Sequence, residues 1–224
     1  MNRFSEATLH DQILYLDPNL LVINKPNRMP IYPGPGGGET LADYLPLLRF
    51  GARKNPAAVH RLDAATSGCL ILGRSKGVRR TLSNLFGEGL VEKLYWAVVQ
   101  NRPMHTQGMI ELPLKDVGWP GRPRVKVRSS GKMGRTLFQE LGYFNQQSLL
   151  ALMPCNGRTH QLRVHCAAMG CPIVGDPIYG GAHRDGPDMH LHARRILLQG
   201  EVPHSFIAPA PQHFIEFMAQ MTPL

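Results

Sequence analysis

The sequence predicts an α+β fold with a largely antiparallel sheet, and three observations carry that prediction. Segments of strand character outnumber helical ones. The two kinds do not alternate as they would in a parallel βαβ array. Of the 224 residues, 43% are apolar, enough to bury one substantial core. Residues 1–224 read as a single domain, with no internal repeat, heptad pattern or disordered tail.

The elements follow in order along the chain. Residues 13–16 (ILYL) and 20–23 (LLVI) flank the turn-forming triplet Asp17-Pro18-Asn19, which predicts an opening hairpin. YPGPGGG at 32–38 is followed by no Gly-Lys-Ser/Thr and fits no G-x-G-x-x-G, so it reads as a loop and not a phosphate cradle. Leu41, Tyr44, Leu45 and Leu48 recur at helical spacing behind Thr40, a suitable cap. Two apolar runs, Ala57-Ala58-Val59 and Cys69-Leu70-Ile71-Leu72, have the character of buried strands, and the polar stretch HRLDAATSG joins them. Ser75 caps a second helix whose apolar stripe, Val78, Leu82, Leu85 and Phe86, stops at Gly87. VEKLYWAVV at 91–99 is rich in β-branched and aromatic residues and predicts a strand, on which Tyr95 and Trp96 face opposite sides. Strands are also expected at 110–114, 136–144, 149–153 and 191–198, and a helix over 159–169 ended by Gly170.

Lysine and arginine number 25 against 16 acidic residues, and the net charge of +9 favours a polyanionic partner. No apolar run reaches the roughly 18 residues a bilayer span needs, and MNRFSEATLH lacks the apolar core of a secretion signal. The expectation is a cytoplasmic monomer with no membrane partner. Four cysteines form no C-x-x-C pair and are expected to be reduced thiols. Cys155, His160, His165, Cys166 and Cys171 lie close enough to raise a zinc site. Cys166 and Cys171, with four intervening residues, have no matching second pair, so no metal is expected.

Three polar clusters are anchored to predicted core elements: Arg61 with Asp63, Lys93 with Tyr95, and GRTHQLRVH at 157–165. Asp, Thr, Ser and Gly suit a turn, so Asp63 can be read as a connector residue. An ionised carboxylate at the mouth of a core is costly unless paired, which points instead to a salt bridge or a catalyst. In the third cluster the predicted helix carries Arg158 and His160 in its first turn and Arg163 further along. Cations there oppose the helix dipole, a local cost more natural in a ligand site than in a stability device. GWPGRPRVKVRSSGKMGRT adds Arg122, Arg124, Lys126, Arg128, Lys132 and Arg135 with no acidic residue among them. Arg122, Arg124, Lys126 and Arg128 alternate with apolar or proline residues. On a strand they project from one face, where they can follow a phosphate backbone but cannot converge on one base.

HRLDAATSG resembles the H-R-L-D-x-x-T-S-G signature of the RluA family of RNA pseudouridine synthases. KLYWA, GRTHQLRVH and GDPIYG match the family's other blocks in the same order, over roughly residues 11–200. ELPL, WPGRPRVKV and the following GK are most similar to the short enzymes acting on 23S ribosomal RNA and transfer RNA anticodon stem-loops. The resemblance implies a bent, mixed sheet with a central RNA-binding cleft. It also implies a cofactor-free isomerase whose nucleophile is Asp63. Arg163 matches the arginine that pairs with the aspartate, and Tyr95 the tyrosine that stacks on the target base. Arg61 matches the arginine that fills the space left by the flipped uridine, with His60, Arg158 and His160 at the RNA-binding surface. Attack on the uracil ring and attack on the sugar carbon both use this carboxylate. Only some ten residues precede the first strand, so the N-terminal S4 domain of longer relatives is not expected and the catalytic domain alone must recognise RNA.

Two other readings compete. A non-enzymatic RNA-binding module is also basic but has no use for a half-buried Asp beside a buried Arg. A metal-dependent hydrolase could draw on His60, Asp63, His190 and His192, yet no carboxylate cluster accompanies them.

Overall fold

The computed structural model describes residues 6–34, 36–119, 124–180, 188–199 and 204–224. The chain opens with α1 (Glu6–His10), β1 (Ile13–Leu16), β2 (Leu20–Lys25) and α2 (Leu41–Tyr44), which runs on into a 3-10 turn at Leu45–Leu48. β3 (Ala57–Ala58), β4 (Ser67–Gly73), α3 (Lys76–Gly87) and β5 (Val91–Gln100) follow. Next come β6 (Gln107–Asp116), β7 (Val125–Val127), β8 (Lys132–Phe144), β9 (Gln147–Pro154) and α4 (Gln161–Ala168). β10 (Leu191–Leu198), β11 (His204–Ile207), α5 (Gln212–Met218) and β12 (Thr222–Pro223) complete the chain. Strand pairing is mostly antiparallel and helices are few, as an α+β fold requires.

Two compact units result: Met1–Glu92 with Ala193–Pro209, and Lys93–His192 with Ala210–Leu224. Two of the boundaries fall inside β5 and β10, uninterrupted strands with no linker composition, and the third falls between Pro209 and Ala210, after β11 and ahead of α5.

In the first unit the sheet runs β1-β2-β4-β10, with β3 on β4 and β11 on β10. β2 and β4 pair antiparallel from Leu20↔Gly73 to Lys25↔Gly68. β4 is buried along its whole length, as its unbroken apolar run implies. Leu20, Val22, Cys69, Ile71, Leu82, Val91, Ile196 and Phe206 form the core, covered by Val78, Leu85 and Phe86 of α3. Ser75 caps α3 as expected, its Oγ accepting the Val78 N–H at 3.2 Å. The helix expected over 41–48 is capped by Thr40 and Asp43, but its second half tightens into 3-10 geometry around Pro46. Pro46 has no N–H to give the Ala42 carbonyl, which instead takes the Leu45 N–H in the tighter i to i−3 pattern.

In the second unit the order is β5-β9-β8-β6-β7, with β12 on β8. β8 and β9 are joined at Asn145 and Gln146, both at positive φ (51° and 60°), the geometry of a tight hairpin turn. Trp96 and Val98 of β5 pack with Leu149, Phe214 and Phe217. Alternation therefore turns Tyr95 to the sheet face opposite α5. On a second cluster, Leu114, Val125 and Val164 meet Leu112 and Tyr179, fastening α4 to the β6–β7 ribbon. Among the described residues no helix is long and apolar enough to cross a membrane.

Candidate active site

In the first unit the HRLDAATSG loop is held through its backbone. Lys25 ends β2 and is fully buried. Its ammonium donates to the carbonyls of Pro26, Met29 and Ala64 at 2.8, 2.9 and 3.1 Å. Ala64 adjoins Asp63, so this buried cation ties the loop to the strand beneath it. The Asp63 carbonyl accepts the Thr66 N–H at 3.0 Å, closing a turn around the residue. His60 accepts the Ile71 N–H at its Nε2 (3.0 Å) and stacks on Phe86 at 4.7 Å. An acceptor nitrogen carries no proton, so this bond fixes the ring as the neutral Nδ1–H tautomer. Gly68 sits at φ +108°, where a Cβ would collide with the Ala193 carbonyl. Leu62 is buried, Arg61 is exposed, and Asp63 between them and the surface is half-buried. The Asp63 carboxylate is thus carried on a loop fixed from beneath.

In the second unit the GRTHQLRVH segment differs from expectation at its start. α4 begins at Gln161, so Arg158 and His160 precede the helix and do not lie in its first turn. The reason is His160, whose backbone is left-handed (φ 51°, ψ 20°), a conformation that helix geometry excludes. Such strain in a non-glycine residue persists only where surrounding contacts enforce it. Here the His160 Nδ1 lies 2.9 Å from the Tyr179 hydroxyl. The Arg158 N–H donates to Gln161 Oε1 at 2.9 Å and its Nε to the Met133 carbonyl at 3.3 Å.

Arg163 and Asp176 are both buried and form a bidentate pair, Nε to Oδ2 and Nη2 to Oδ1, each 2.8 Å. Asp176 Oδ1 also accepts the N–H groups of Ile178 and Tyr179 at 2.8 and 3.1 Å. Burial alone pushes the Asp176 carboxyl up, but the bonds and charge of Arg163 and the two backbone N–H groups outweigh it and hold the group below the usual carboxylate range. GDPIYG, one of the blocks that carry the family resemblance, thus supplies a countercharge to Arg163. Further along α4, the Gln161 amide donates to the Arg135 carbonyl and to Thr136 Oγ1 (2.8 and 3.0 Å). His165 Nδ1 meets Thr136 Oγ1 at 3.0 Å, while its Nε2 is buried without a hydrogen-bond partner. Burial lowers the His165 imidazole to about 4, so it is neutral at physiological pH.

Tyr95 is half-buried on β5, and burial of Lys93, on the same strand face, lowers its ammonium below the ordinary value. On the ribbon, Arg124, Lys126 and Arg128 are exposed while Val125 points inward, as alternation predicts. Arg122 lies outside the described residues. Lys126 faces Lys115 across the ladder, a further cation that the sequence segment did not include. The absence of acidic residues within the segment does not leave every cation uncompensated. Glu111 on β6 faces Arg135 and pairs with it at 2.6 Å, because strand pairing brings in charges distant in sequence.

Asp63, Arg61 and His60 therefore belong to the first unit, and Tyr95, Arg158, His160, Arg163 and the cationic ribbon to the second. Sequence reasoning missed Lys25, Asp176 and Tyr179 as site-building residues. A lysine closing an apolar strand, LLVINK, was the available signal for the first, and the carboxylate inside GDPIYG for the second. All four cysteines are free, Cys155 exposed and the others buried. Among the described residues no three His, Cys, Asp or Glu side chains gather to hold a metal ion.

The chain matches the family model for RNA pseudouridylate synthase over residues 19–168. It is 38% identical to an uncharacterized RNA pseudouridine synthase of Zymomonas mobilis, over 93% of this chain and 97% of that one. It is also 35% identical to the dual-specificity RNA pseudouridine synthase RluA of Escherichia coli, over 85% and 84%. Among solved structures, human RNA Pseudouridylate Synthase Domain Containing 4 superposes with a TM-score of 0.81 at 26% identity, covering 96% of this chain and 94% of the other. Human RNA Pseudouridylate Synthase Domain Containing 1 gives 0.80 at 28%, covering 100% and 92%. With its sequence blocks, its fold and these relatives in agreement, the chain belongs to the RluA family of RNA pseudouridine synthases, isomerases that act on uridines in RNA.

Proposed function

We propose that this enzyme converts loop uridines of 23S ribosomal RNA, a transfer RNA anticodon stem-loop, or both into pseudouridine, with Asp63 as the nucleophile. The observation that carries the reading is the fixing of the Asp63 loop. Lys25, His60, Thr66 and Gly68 hold its backbone, and the side chain stays half-buried on the surface they support. Carboxylates are ionised at neutral pH, so an aspartate needs no activating base where a serine would. The bond from ribose carbon 1′ to uracil N1 breaks, the uracil turns, and its carbon 5 bonds to carbon 1′, with the proton lost from carbon 5 matched by one taken up at N1. This sequence needs no external oxidant, reductant or group donor. In this reading Arg163 is the catalytic arginine, and Tyr95 stacks on the base and assists a proton transfer.

A base cannot turn about its glycosidic bond while stacked in a helix. Extruding it costs a few kcal/mol, least in an unpaired loop, and stacking on Tyr95 offsets part of that cost. Arg61, exposed two residues before Asp63, is suited to fill the vacated space. The exposed cations Arg124, Lys126 and Arg128, with Arg122 and Arg158, contribute phosphate and sugar contacts, whereas His160, expected at the RNA-binding surface, is buried with its ring against Tyr179. The Escherichia coli relative is described as dual-specificity, which favours more than one RNA substrate here too. The test incubates the purified protein with 23S ribosomal RNA and transfer RNA stem-loop transcripts, then maps modified uridines at single-nucleotide resolution. Pseudouridine at one or a few loop positions is expected. Modification confined to base-paired stems, or none in either RNA, would overturn the reading.

A further inference from the structure

Tyr179 stands where three parts of the second unit meet, and no assignment above gives it a role in the reaction. Its ring lies under the Arg163 guanidinium, 5.2 Å from Cζ to centroid, and edge-on to His160 at 5.7 Å and 78°. Its hydroxyl accepts the Val125 N–H at 2.8 Å and lies 2.9 Å from His160 Nδ1. A phenol that accepts through a lone pair keeps its own proton to donate, so the chain Val125 N–H to Tyr179 O–H to His160 Nδ1 can run in one direction. Val125 is the inward residue of β7 and carries Arg124 and Lys126 as its sequence neighbours. The Tyr179 N–H is held by the same carboxylate that grips Arg163.

We propose that Tyr179 is a positioning residue that couples engagement of RNA by the β6–β7 ribbon to the setting of Arg163. The proposal rests on the roles given to the ribbon and to Arg163 under Proposed function. Phosphates bound by Arg124 and Lys126 restrain β7. Val125 passes that restraint to the Tyr179 hydroxyl, and the ring passes it to the guanidinium above it. His160 serves as the second anchor of the hydroxyl, which gives its left-handed backbone a purpose. A purely structural tyrosine would fill the space among Leu112, Leu114, Val125 and Val164 equally well without a hydroxyl.

Tyr179→Phe keeps the ring and removes the bridge. The experiment measures RNA affinity and the single-turnover rate at saturating protein, which is independent of the active fraction. It compares the parent, Tyr179→Phe, the ribbon variant Arg124→Gln with Lys126→Gln, and the combination. Tyr179→Phe is expected to slow the saturating rate about tenfold, the weight of one hydrogen bond, with affinity changed less than about threefold. The ribbon variant should lower both affinity and saturating rate in the parent, but affinity alone once Tyr179 is phenylalanine. His160→Asn, which tolerates positive φ and removes the ring acceptor, should reproduce the rate loss of Tyr179→Phe. Additive rate losses in the combination, or an unchanged saturating rate in Tyr179→Phe, would overturn the coupling while leaving an active enzyme. Absence of pseudouridine formation by the parent would overturn the underlying reading instead, so the two failures are distinguishable.

Discussion

Asp63 and Asp176 are both aspartates in tight turns, one in each unit, yet the protein treats them in opposite ways. Around Asp63 the loop is fixed by Lys25 on the Ala64 carbonyl, by the Thr66 N–H on the Asp63 carbonyl and by the Ile71 N–H on the His60 ring, and the Asp63 side chain is half-buried. At Asp176 the carboxylate itself is the hub: Arg163 binds it twice, Ile178 and Tyr179 bind it from their N–H groups, and it is wholly buried. A carboxylate saturated with donors holds a structure together. The one carried on the pinned, half-buried loop is the residue proposed above as the nucleophile, and residue type alone does not separate the two roles.

Asp176→Asn is the largest expected perturbation of stability and tests the structural half of the contrast. It removes the charge that Asp176 sets against the buried Arg163, so unfolding free energy should fall by about 3–5 kcal/mol, measured by urea titration. Asp63→Asn should change stability by less than about 1 kcal/mol. Equal losses from the two substitutions would erase the distinction.

Acid sharpens the contrast from within the second unit. His165 titrates near 6.5 when unfolded and is lowered to about 4 by burial in the native state. Between those values the unfolded chain binds more protons. His165 therefore contributes stability that is complete above pH 6.5 and is lost as pH falls toward 4, about 2 kcal/mol of it by pH 5. His190, stacked on His213 at 4.3 Å and lowered to about 4 chiefly by burial, acts in the same direction. Asp176, held below the ordinary carboxylate range, loses its contribution only in stronger acid. Unfolding free energy that is flat between pH 7 and 5 would show that these rings are not buried neutral.

Tyr95→Phe keeps an aromatic face for stacking and removes a hydroxyl. RNA affinity should hold while turnover slows by at least about tenfold, a modest share of what a proton-transfer group contributes. Unchanged turnover would reduce Tyr95 to a stacking platform. The smallest effect belongs to the ribbon, where changing Arg124 and Lys126 to Gln should flatten the log-log salt dependence of binding by about 1.5 to 2 and leave the choice of uridine unaltered. An unchanged slope would place those cations away from the RNA.

Much of this arrangement was legible in the sequence because its signals are local. The opening hairpin, the Ser75 cap, the strand character of VEKLYWAVV and the buried strand after the polar loop each depend on a few adjacent residues, whereas the run before the loop, expected to be buried, is a two-residue strand only half-buried. What stayed hidden depends on partners far apart in the chain. The bond from Lys25 to Ala64 spans 39 residues, the Arg135 to Glu111 pair needs the β6–β8 register, and Tyr179 meets Val125 across 54 residues. The late start of α4 escaped for a different reason. A left-handed histidine is enforced by tertiary contacts and has no propensity signal of its own.

The most direct test of the account is pseudouridine formation by Asp63→Asn, a nearly isosteric change that removes charge and nucleophilicity while leaving the pinned loop intact. The account predicts no detectable isomerisation of a transcript the parent modifies, with RNA affinity within a few-fold of the parent and an unaltered unfolding midpoint. Turnover within about tenfold of the parent, less than the contribution expected of a nucleophile, would contradict it.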